Sequence, residues 1–320
     1  MEKKNALVCG AGGFIGSHLV KRLKDEGYWV RGVDLKYPEF SVSPADQFIL
    51  TDLTKSDSFD KLPNIRFDEI YQLAADMGGA DYVFVGTNDG NIMRNSISIN
   101  INTINYCIAH DVGRIFYSSS ACVYPAHNQT DPSNPICSED SAYPANPDSE
   151  YGWEKLFSER LYLAHAKSNN LIVRIARYHN VYGPNGTWTG GKEKSPAALC
   201  RKVAESSNGI IEIYGNGVQT RSFLYISDCI DATILLMRSQ CSEPINVGSE
   251  EMVTINYLVD IIAKIANKTI IKKHINGPVG VMGRCSDNSI IKNQLNWEPS
   301  ISLREGITFL YTWVKQHVIY

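Results

Sequence analysis

Two residues four positions apart, Tyr151 and Lys155, are of types that can carry out acid–base chemistry together. On a helix, side chains at this spacing lie on one face, about one turn apart. A free tyrosine, with a pKa of about 10, is a weak base at neutral pH, and nearby positive charge would lower that pKa. A serine hydroxyl in line, such as that of Ser120, would help to relay the proton of a substrate alcohol. The pattern predicts a site that oxidises an alcohol.

Each of these residues also has an interpretation without a catalytic role. The Tyr-x-x-x-Lys pattern is short and occurs on ordinary helix surfaces. For Cys122, two positions beyond Ser120, the alternative is a small buried thiol with no catalytic role. These residues alone leave both the catalytic and the structural interpretation open. The stretches of sequence before and after them provide further evidence.

A glycine-rich turn stands near the start of the chain, between an apolar run at residues 5–9 and an amphipathic helix pattern at residues 17–23. Such a turn lets the backbone approach a pyrophosphate closely, and the free N–H groups at the helix start favour the anion. A plain turn is the alternative, but a strand before it and a helix after it favour dinucleotide binding. The residues predicted to bind the dinucleotide here are Gly10, Gly13, Phe14, Ile15 and Gly16.

Acidic residues stand at or just beyond the ends of the next two predicted strands. The strand at residues 29–33 ends at Asp34, where a carboxylate can accept both ribose hydroxyls, and this favours NAD over NADP. The strand at residues 48–50 is followed by Asp52, which would either reach the adenine or act as the N-cap of a helix after it. The sequence does not separate these two roles of Asp52.

Strands and helices continue to alternate up to about residue 178. Further strands are predicted at residues 69–75, 114–117 and 171–175, and helices at about 88–110 and 151–168. Gly78 follows the strand at 69–75, at the sheet edge where ligands bind in doubly wound folds. Beyond residue 178 the regular alternation breaks down into loops, short strands and helices.

This alternation predicts an α/β protein with a Rossmann-type doubly wound parallel sheet. Residues 1–178 would form the NAD-binding core. Residues 179–320 would form a smaller C-terminal α/β domain that mainly binds substrate, with some segments returning to the first domain.

Composition argues against several other classes of protein. The chain has 320 residues, of which 43% are hydrophobic and 20% charged, as in an ordinary globular enzyme. A net charge of −3 gives no general attraction to nucleic acid. No apolar run is long enough to span a bilayer and the first residues lead directly into a strand, so we expect a cytoplasmic protein without membrane contact. The eight cysteines lie far apart and no histidines cluster, so neither a disulfide framework nor a metal site is predicted.

The helix predicted at residues 151–168 bears on assembly. Its apolar residues cover an arc opposite Tyr151 and Lys155 that is wider than a helix lying on a sheet needs. These apolar residues are Trp153, Leu156, Phe157, Leu161, Leu163 and Ala164. A second helix from another subunit would cover the remainder, so we expect a homodimer built on the helices near 90–110 and 151–168.

Two basic groups occur late in the chain, in the stretch Gln219-Thr220-Arg221 and at Arg284. They would suit a phosphate clamp in the substrate domain. The alternative is solvated surface charge, and the residues by themselves leave both interpretations open.

In their order and spacing, the glycine turn, Asp34, Ser120, Tyr151 and Lys155 resemble the extended short-chain dehydrogenases/reductases that act on nucleotide sugars. The resemblance covers nearly the whole chain. More narrowly, four stretches resemble the GDP-mannose 3,5-epimerase family: residues 74–79, 119–125, 190–198 and 219–223.

The resemblance implies a substrate and a set of catalytic residues. In that family, the residues matched by Tyr151 and Lys155 work with NAD to oxidise the sugar at C4, and those matched by Cys122 and Lys194 form the base and acid pair that epimerises C5 and C3. The implied substrate is GDP-mannose or a closely related GDP-sugar. The implied substrate contacts are Gly78, Ser120, Cys122, Asn180, Glu193, Lys194, Ser195, Lys202, Gln219, Thr220, Arg221 and Arg284.

Other proteins with this fold would need different residues beside Ser120. A 4-epimerase uses the tyrosine and serine alone, and a 4,6-dehydratase needs a carboxylate where this chain has Ala121-Cys122. A non-catalytic NAD-sensing protein would keep the glycine turn without needing Tyr151, Lys155 and Cys122 together. Their joint presence favours the epimerase.

Overall fold

Strands and helices alternate in the computed structural model of the chain, which describes residues 3–62 and 65–318. The strands in this part of the chain are β1 (Asn5–Cys9), β2 (Trp29–Asp34), β3 (Gln47–Leu50), β4 (Glu69–Gln72), β5 (Arg114–Ser120), β6 (Val173–Tyr178), β7 (Val181–Tyr182), β8 (Ile210–Tyr214), β9 (Thr220–Ser222), β10 (Leu224–Tyr225), β11 (Ile245–Val247), β12 (Met252–Thr254), β13 (Ile271–Ile275) and β14 (Gly283–Arg284).

The helices lie between and after these strands. They are α1 (Phe14–Asp25), α2 (Ala80–Val83), α3 (Asp89–Ala109), α4 (Glu150–Asn169), α5 (Ser195–Glu205), α6 (Ile226–Arg238), α7 (Ile255–Ala266), α8 (Ser289–Leu295) and α9 (Leu303–Val318). Short 3-10 helices lie at Ala121–Val123, Ala126–Gln129 and Glu139–Ala142. Among the described residues, none of the helices has both the length and the apolar character needed to cross a membrane.

Seven parallel strands form the main sheet, in the order β11-β6-β5-β4-β1-β2-β3. The chain runs outward from β1 through β2 and β3 in one direction, and from β4 through β5, β6 and β11 in the other. Between β1 and β4 the order therefore reverses, and ligands bind at the carboxyl ends of the strands at such a point. The predicted Rossmann-type doubly wound parallel sheet is confirmed.

Both faces of the sheet are buried, which explains why β1 is apolar from Ala6 to Cys9. Ala6 and Val8 of β1 face a core that includes residues of α1 and α6. Leu7 and Cys9, which alternate with them, face a core that includes residues of α3 and α4. Because a strand points successive side chains to opposite faces, helices cover the sheet on both sides.

A third core lies among α5, α7 and α9, where Leu199, Leu258 and Leu310 are buried together. β11 comes after residue 178 in the chain, yet it pairs with β6 at the edge of the main sheet. The division into residues 1–178 and 179–320 stays a prediction, and residues 1–2, 63–64 and 319–320 of those ranges lie outside the described part of the chain.

The structure differs from the sequence predictions around the third and fourth strands. No helix follows Asp52, because turns occupy residues 53–62, and its Oδ1 accepts hydrogen bonds from Thr54 N and Oγ1 at 3.0 and 2.7 Å. The carboxylate therefore caps a turn rather than a helix. The fourth strand ends at Gln72 rather than residue 75, since the Gln72 side chain bonds to both N and O of Ala74.

A buried ion pair fixes the carboxyl end of β5. Arg177 on β6 donates to both carboxylate oxygens of Glu159 on α4, at 2.9 and 2.8 Å, and both side chains are almost fully buried. Ser119 Oγ donates to the same carboxylate at 2.5 Å. The pair thus joins β6, α4 and the strand that ends in Ser120.

Replacing Arg177 by methionine is expected to lower the free energy of unfolding by about 3–5 kcal/mol, because the Glu159 carboxylate would stay buried without its cation. The matched control is Lys21→Met, which breaks the exposed Lys21–Asp25 pair on α1 and should cost about 0.5 kcal/mol or less. Denaturant unfolding of the two variants and the wild type measures the difference. A change in Arg177→Met as small as that in Lys21→Met would contradict the structural role of the pair.

Candidate active site

The glycine turn brings three backbone segments together at the start of α1. Gly10 has a φ of +85°, in the left-handed region that favours glycine. A Cβ on Gly16 would lie 2.0 Å from Gly10 O, and one on Gly12 would lie 2.0 Å from Lys36 O. Gly13 precedes α1 as its N-cap and brings no side chain to the first amide groups of the helix. This turn fits the pyrophosphate of a dinucleotide, since backbone N–H groups at a helix start bind anions.

The other predicted cofactor residues adjoin this turn or the strand ends near it. Phe14, Ile15 and Gly16 form the first turn of α1. Asp34 ends β2, and its Oδ2 accepts a hydrogen bond from Gly12 N at 2.9 Å. Asp52 lies just beyond β3. The residues present fit NAD, and the role of each of them stays a prediction.

Replacing Asp34 by asparagine is expected to weaken NAD binding about tenfold to a hundredfold, because hydrogen bonds from ribose hydroxyls to a charged group are worth about 1.5–3 kcal/mol. The loss of charge should also reduce the preference for NAD over NADP. Titration of the apoprotein with each cofactor measures both effects. Asp25→Asn, at the exposed end of α1, is the control, and equal affinities of the wild type for NAD and NADP would remove Asp34 from this role.

The predicted catalytic tyrosine and lysine stand on the first turns of α4. Ser149 caps this helix by accepting a hydrogen bond from Gly152 N at 3.2 Å. Gly152 packs tightly on the turn after β5, where a Cβ would lie 2.2 Å from Cys122 O. This close approach places Cys122 against the small apolar cluster that contains Tyr151.

Lys155 is fully enclosed beneath Tyr151. Its Nζ donates to Ser118 O at 2.9 Å and lies 5.6 Å from the centroid of the Tyr151 ring. Burial lowers the pKa of Lys155, while the neighbouring Glu154 and Cys122 raise it. The contact with β5 fixes the ammonium group below the phenol.

The protein around Tyr151 raises the pKa of its phenol, and the lowering expected from Lys155 together with a cationic nicotinamide stays a prediction. Burial raises this pKa, and the nearby Cys122 and Glu154 raise it further. Hydrogen bonding to Ser120 and the charge of Arg284 act in the opposite direction. Within the chain itself, removal of the phenolate from water outweighs the positive charges around it.

Cys122 contacts a guanidinium group that comes from the far end of the chain. Its Sγ accepts a hydrogen bond from Arg284 NH1 at 3.1 Å. Its backbone N–H donates to Ser120 Oγ at 3.2 Å, so the serine caps the short helix that carries the thiol. Cys122 is partly exposed, unlike Cys9 and Cys200, which are buried.

Lys194 stands immediately before α5 on a segment that is held in place. Lys192 O accepts a hydrogen bond from Gly79 N at 3.0 Å, and Lys192 Nζ lies 3.8 Å from the centroid of the Tyr82 ring. Burial lowers the pKa of Lys194, and the nearby Cys122 raises it. An ammonium group that is partly removed from water gives up its proton more readily than an exposed one, as a general acid must.

One cavity of about 460 Å³ brings these groups together. Tyr151 lines it with all but one of the predicted substrate residues: Gly78, Ser120, Cys122, Asn180, Glu193, Lys194, Ser195, Lys202, Gln219, Arg221 and Arg284. Several polar side chains among them bond to other parts of the chain: Asn180 to Ser222 O (2.9 Å), Glu193 to Arg201 (2.9 Å), Lys202 to Glu212 O (2.8 Å) and Gln219 to Tyr214 O (3.1 Å).

Thr220 is the predicted residue that does not line the cavity. It is buried, and its hydroxyl donates to Pro132 O at 2.5 Å. Its neighbour Arg221 does line the cavity, and burial together with the charge of Arg284 lowers the pKa of Arg221 to about 10. The substrate contact of Thr220 stays a prediction.

Two residues that the sequence analysis missed, Gln129 and Asp148, hold Arg284 beside Cys122. Gln129 Oε1 accepts from Arg284 Nε at 2.6 Å, and Asp148 Oδ2 accepts from Arg284 NH2 at 3.0 Å. Both contacts join residues more than a hundred positions apart. No local pattern marks such partners.

The sequence model described as "NAD dependent epimerase/dehydratase family" matches residues 6–248. The chain belongs to the NAD-dependent epimerase/dehydratase family. The match runs from β1 to just beyond β11, so it takes in every strand of the main sheet. The family predicted from the sequence motifs and its cofactor NAD are thereby confirmed.

Members of this family are similar to the chain over nearly its whole length. GDP-mannose 3,5-epimerase 1 of Oryza sativa subsp. indica is 42% identical over 319 residues, covering 99% of this chain and 83% of that protein. GDP-mannose 3,5-epimerase of Arabidopsis thaliana is also 42% identical, with 99% and 84% covered. The crystal structure of UDP-glucuronic acid 4-epimerase from Bacillus cereus, in complex with UDP-glucuronic acid and NAD, is 27% identical, with a TM-score of 0.81 over 99% of this chain and 100% of that one.

Proposed function

We propose that the protein is a GDP-mannose 3,5-epimerase, which converts GDP-mannose to GDP-L-galactose and GDP-L-gulose. The observation that carries this proposal is that Cys122 and Lys194 line the same cavity as Tyr151 and Ser120. A base and acid pair beside an alcohol-oxidising site is what epimerisation next to a transient ketone needs. The names of the plant relatives support the same substrate.

The first task of the site is to oxidise the sugar at C4. NAD, held by the glycine turn and Asp34, would supply the hydride acceptor for this oxidation and the hydride donor for the later reduction. Tyr151 takes the proton of the C4 hydroxyl, with Ser120 as its hydrogen-bonding partner. Lys155 holds its positive charge below the phenol through its bond to Ser118 O.

The second task is to invert C5 and C3. A ketone at C4 acidifies the neighbouring C–H bonds, because the electron pair left on carbon is delocalised as an enolate. Cys122 takes a proton from one face, and Lys194 returns a proton to the other. One group could not invert a carbon centre without the sugar turning over, so both residues are needed.

The nucleotide part of the substrate requires positive charge and hydrogen-bond donors. Arg221, which is partly buried, and Lys202 line the cavity, and their positive charges attract a diphosphate. We infer that Asn180, Glu193 and Gln219, which line the same cavity, orient the GDP-sugar.

The alternative function is another NAD-dependent epimerase or dehydratase acting on a GDP- or UDP-sugar. A 4-epimerase would not need Cys122 and Lys194, and a 4,6-dehydratase would need a carboxylate where Ala121-Cys122 stands. Incubation with GDP-mannose, UDP-glucose and UDP-glucuronic acid, followed by separation of the products, tests the choice. GDP-mannose is expected to give its 5- and 3,5-epimers, and turnover of a UDP-sugar alone would contradict the proposal.

We also propose that the protein is a homodimer built on α3 and α4. These helices pack side by side, and large apolar side chains remain exposed on both: Ile101, Ile108, Trp153 and Phe157. A second copy of the same pair of helices would bury them. Light scattering on the wild type and on a Phe157→Asp variant tests the proposal, and a monomeric wild type would contradict it.

The compartment proposed for the protein is the cytoplasm. Its eight cysteines are free thiols, and a reducing compartment maintains thiols in that state.

A further inference from the structure

The guanidinium group of Arg284 is held on three sides in the interior of the protein. The residue is only 5% exposed. Its Nε donates to Gln129 Oε1 at 2.6 Å, its NH2 to Asp148 Oδ2 at 3.0 Å and its NH1 to Cys122 Sγ at 3.1 Å. All three guanidinium nitrogens therefore donate hydrogen bonds, and NH1 donates to the sulfur.

Two of these contacts fix the guanidinium group independently of the sulfur. Asp148 forms a nearly buried ion pair with it, and Gln129 holds it from a 3-10 helix. The side chain is thus pre-organised to present one N–H to Cys122, at little cost in conformational freedom when the sulfur changes its charge. Arginine stays charged at every pH of interest, so this donor is always a cation.

Other charged groups lie close to the same sulfur. Arg221, which is partly exposed, interacts electrostatically with Cys122, Asp148 and Arg284. Lys155 and Lys194 also interact with Cys122, and so does the phenol of Tyr151. The cations among these groups favour an anionic sulfur, whereas the carboxylate of Asp148 opposes it. A thiolate is a stronger hydrogen-bond acceptor than a thiol, because the bond to an ionised acceptor is charge-assisted.

We propose that Arg284 is the positioning residue that keeps Cys122 as a thiolate, and that Asp148 and Gln129 hold Arg284 in place for this purpose. The inference rests on the proposed function, in which Cys122 is the base. The step that it supports is a proton transfer: the sugar C–H bond breaks, the S–H bond forms and the electron pair stays on carbon as the enolate of the C4 ketone. The resemblance to known epimerases implied only a substrate contact for Arg284.

The two roles of Arg284 predict different kinetics. A residue that only clamps the diphosphate binds ground and transition states alike, so its loss raises KM and leaves kcat nearly unchanged. A residue that keeps the base ionised is needed for the proton transfer, so its loss lowers kcat. Arg284→Gln is therefore expected to lower kcat about tenfold or more at neutral pH, which is the effect of a tenfold smaller thiolate fraction.

Alkylation of Cys122 by iodoacetamide, followed by mass spectrometry of the peptide that contains it, tests the proposal directly. The rate is measured against pH for the NAD-loaded wild type, Arg284→Gln, Arg284→Lys and Asp148→Asn, with Cys122→Ser as the blank. The midpoint of the profile, which is the pH at which the alkylation rate is half-maximal, should be higher in Arg284→Gln than in the wild type by about one pH unit or more. Arg284→Lys keeps the charge and should stay closer to the wild type. Asp148→Asn removes a negative charge but keeps an acceptor oxygen, so it should not move the midpoint upward.

The control variant is Arg238→Gln, which breaks a surface contact with Glu26 and should leave the alkylation profile unchanged. Thermal unfolding of each variant identifies any loss of fold. If Arg284→Gln does not fold, Gln129→Leu decides, because it removes the neutral acceptor of Arg284 Nε without changing any charge: its midpoint should move upward, and an unchanged midpoint would overturn the proposal. Identical midpoints in folded wild type and Arg284→Gln would overturn the proposal, as would an upward shift in Asp148→Asn alone.

Deuterium exchange separates this inference from the proposed function. If the midpoint shifts but Cys122→Ser still exchanges sugar protons at the wild-type rate, Arg284 controls the sulfur and the sulfur is not the base. If exchange requires Cys122 but the midpoint does not shift, the proposed function stands and the role given to Arg284 falls.

Discussion

Cys122→Ser is expected to lower the rate of epimerisation of GDP-mannose by about a hundredfold to ten-thousandfold, the range of general acid–base catalysis. A serine hydroxyl is far too weakly acidic to be ionised at neutral pH, so it cannot take the proton from C5 or C3. Oxidation at C4 depends on Tyr151 instead, so the variant should still produce the absorbance of reduced nicotinamide when substrate is added. Product analysis and near-ultraviolet absorbance measure the two steps separately.

The matched control for this variant is Cys241→Ser. Cys241 is also partly exposed, but its thiol donates to Gln294 on α8 and it does not line the cavity. Its replacement should leave the rate near that of the wild type. Wild-type epimerisation by Cys122→Ser would mean that another group is the base, and the two-sided mechanism would then be wrong.

Tyr151→Phe is expected to abolish oxidation as well as epimerisation, with a loss of rate of about a hundredfold to ten-thousandfold. Without the phenol oxygen, no group in the site takes the proton of the C4 hydroxyl, and the ketone that acidifies C5 and C3 does not form. Neither reduced nicotinamide nor solvent exchange should then be seen. The pH dependence of the wild type should agree: the rate of oxidation at C4, followed by the absorbance of reduced nicotinamide, should rise with pH. Burial raises the pKa of Tyr151, and only its phenolate form takes the proton of the C4 hydroxyl.

Tyr143→Phe is the control for this variant, since Tyr143 is exposed and does not line the cavity. The two variants should differ little in thermal stability. A Tyr151→Phe protein that still accumulates reduced nicotinamide at the wild-type rate would assign the proton transfer to another residue.

Tyr151 and Cys122 differ in how they could be recognised from the sequence. The glycine turn and the pair Tyr151 and Lys155 are local patterns, so their strand and helix contexts follow from the residues beside them. The bounds of α4 agree with the predicted 151–168 to within one residue at each end, whereas α1 (Phe14–Asp25) extends beyond the predicted 17–23 at both ends. Cys122 and Lys194 were identified by resemblance, and the structure brings both into one cavity.

Long-range contacts were not predictable in this way. Asp148 and Gln129 bond to Arg284 from 136 and 155 positions away, so nothing beside them in the chain indicates the contact. The helix expected after Asp52 is replaced by a turn, in which the Asp52 carboxylate accepts a hydrogen bond from Thr54 N. The rise in the pKa of Tyr151 that burial causes was not predictable either, because burial depends on the whole fold.

The central claim is that a base and an acid exchange protons at C5 and C3 while C4 is oxidised. Nuclear magnetic resonance of GDP-mannose incubated with the protein and NAD in D₂O tests it most directly. Deuterium is expected at C5 and C3 of the epimerised sugar, with hydrogen retained at C4, because the hydride returns to C4 without contact with solvent. A product inverted at C4 with no deuterium at C3 or C5 would contradict the account and indicate a 4-epimerase.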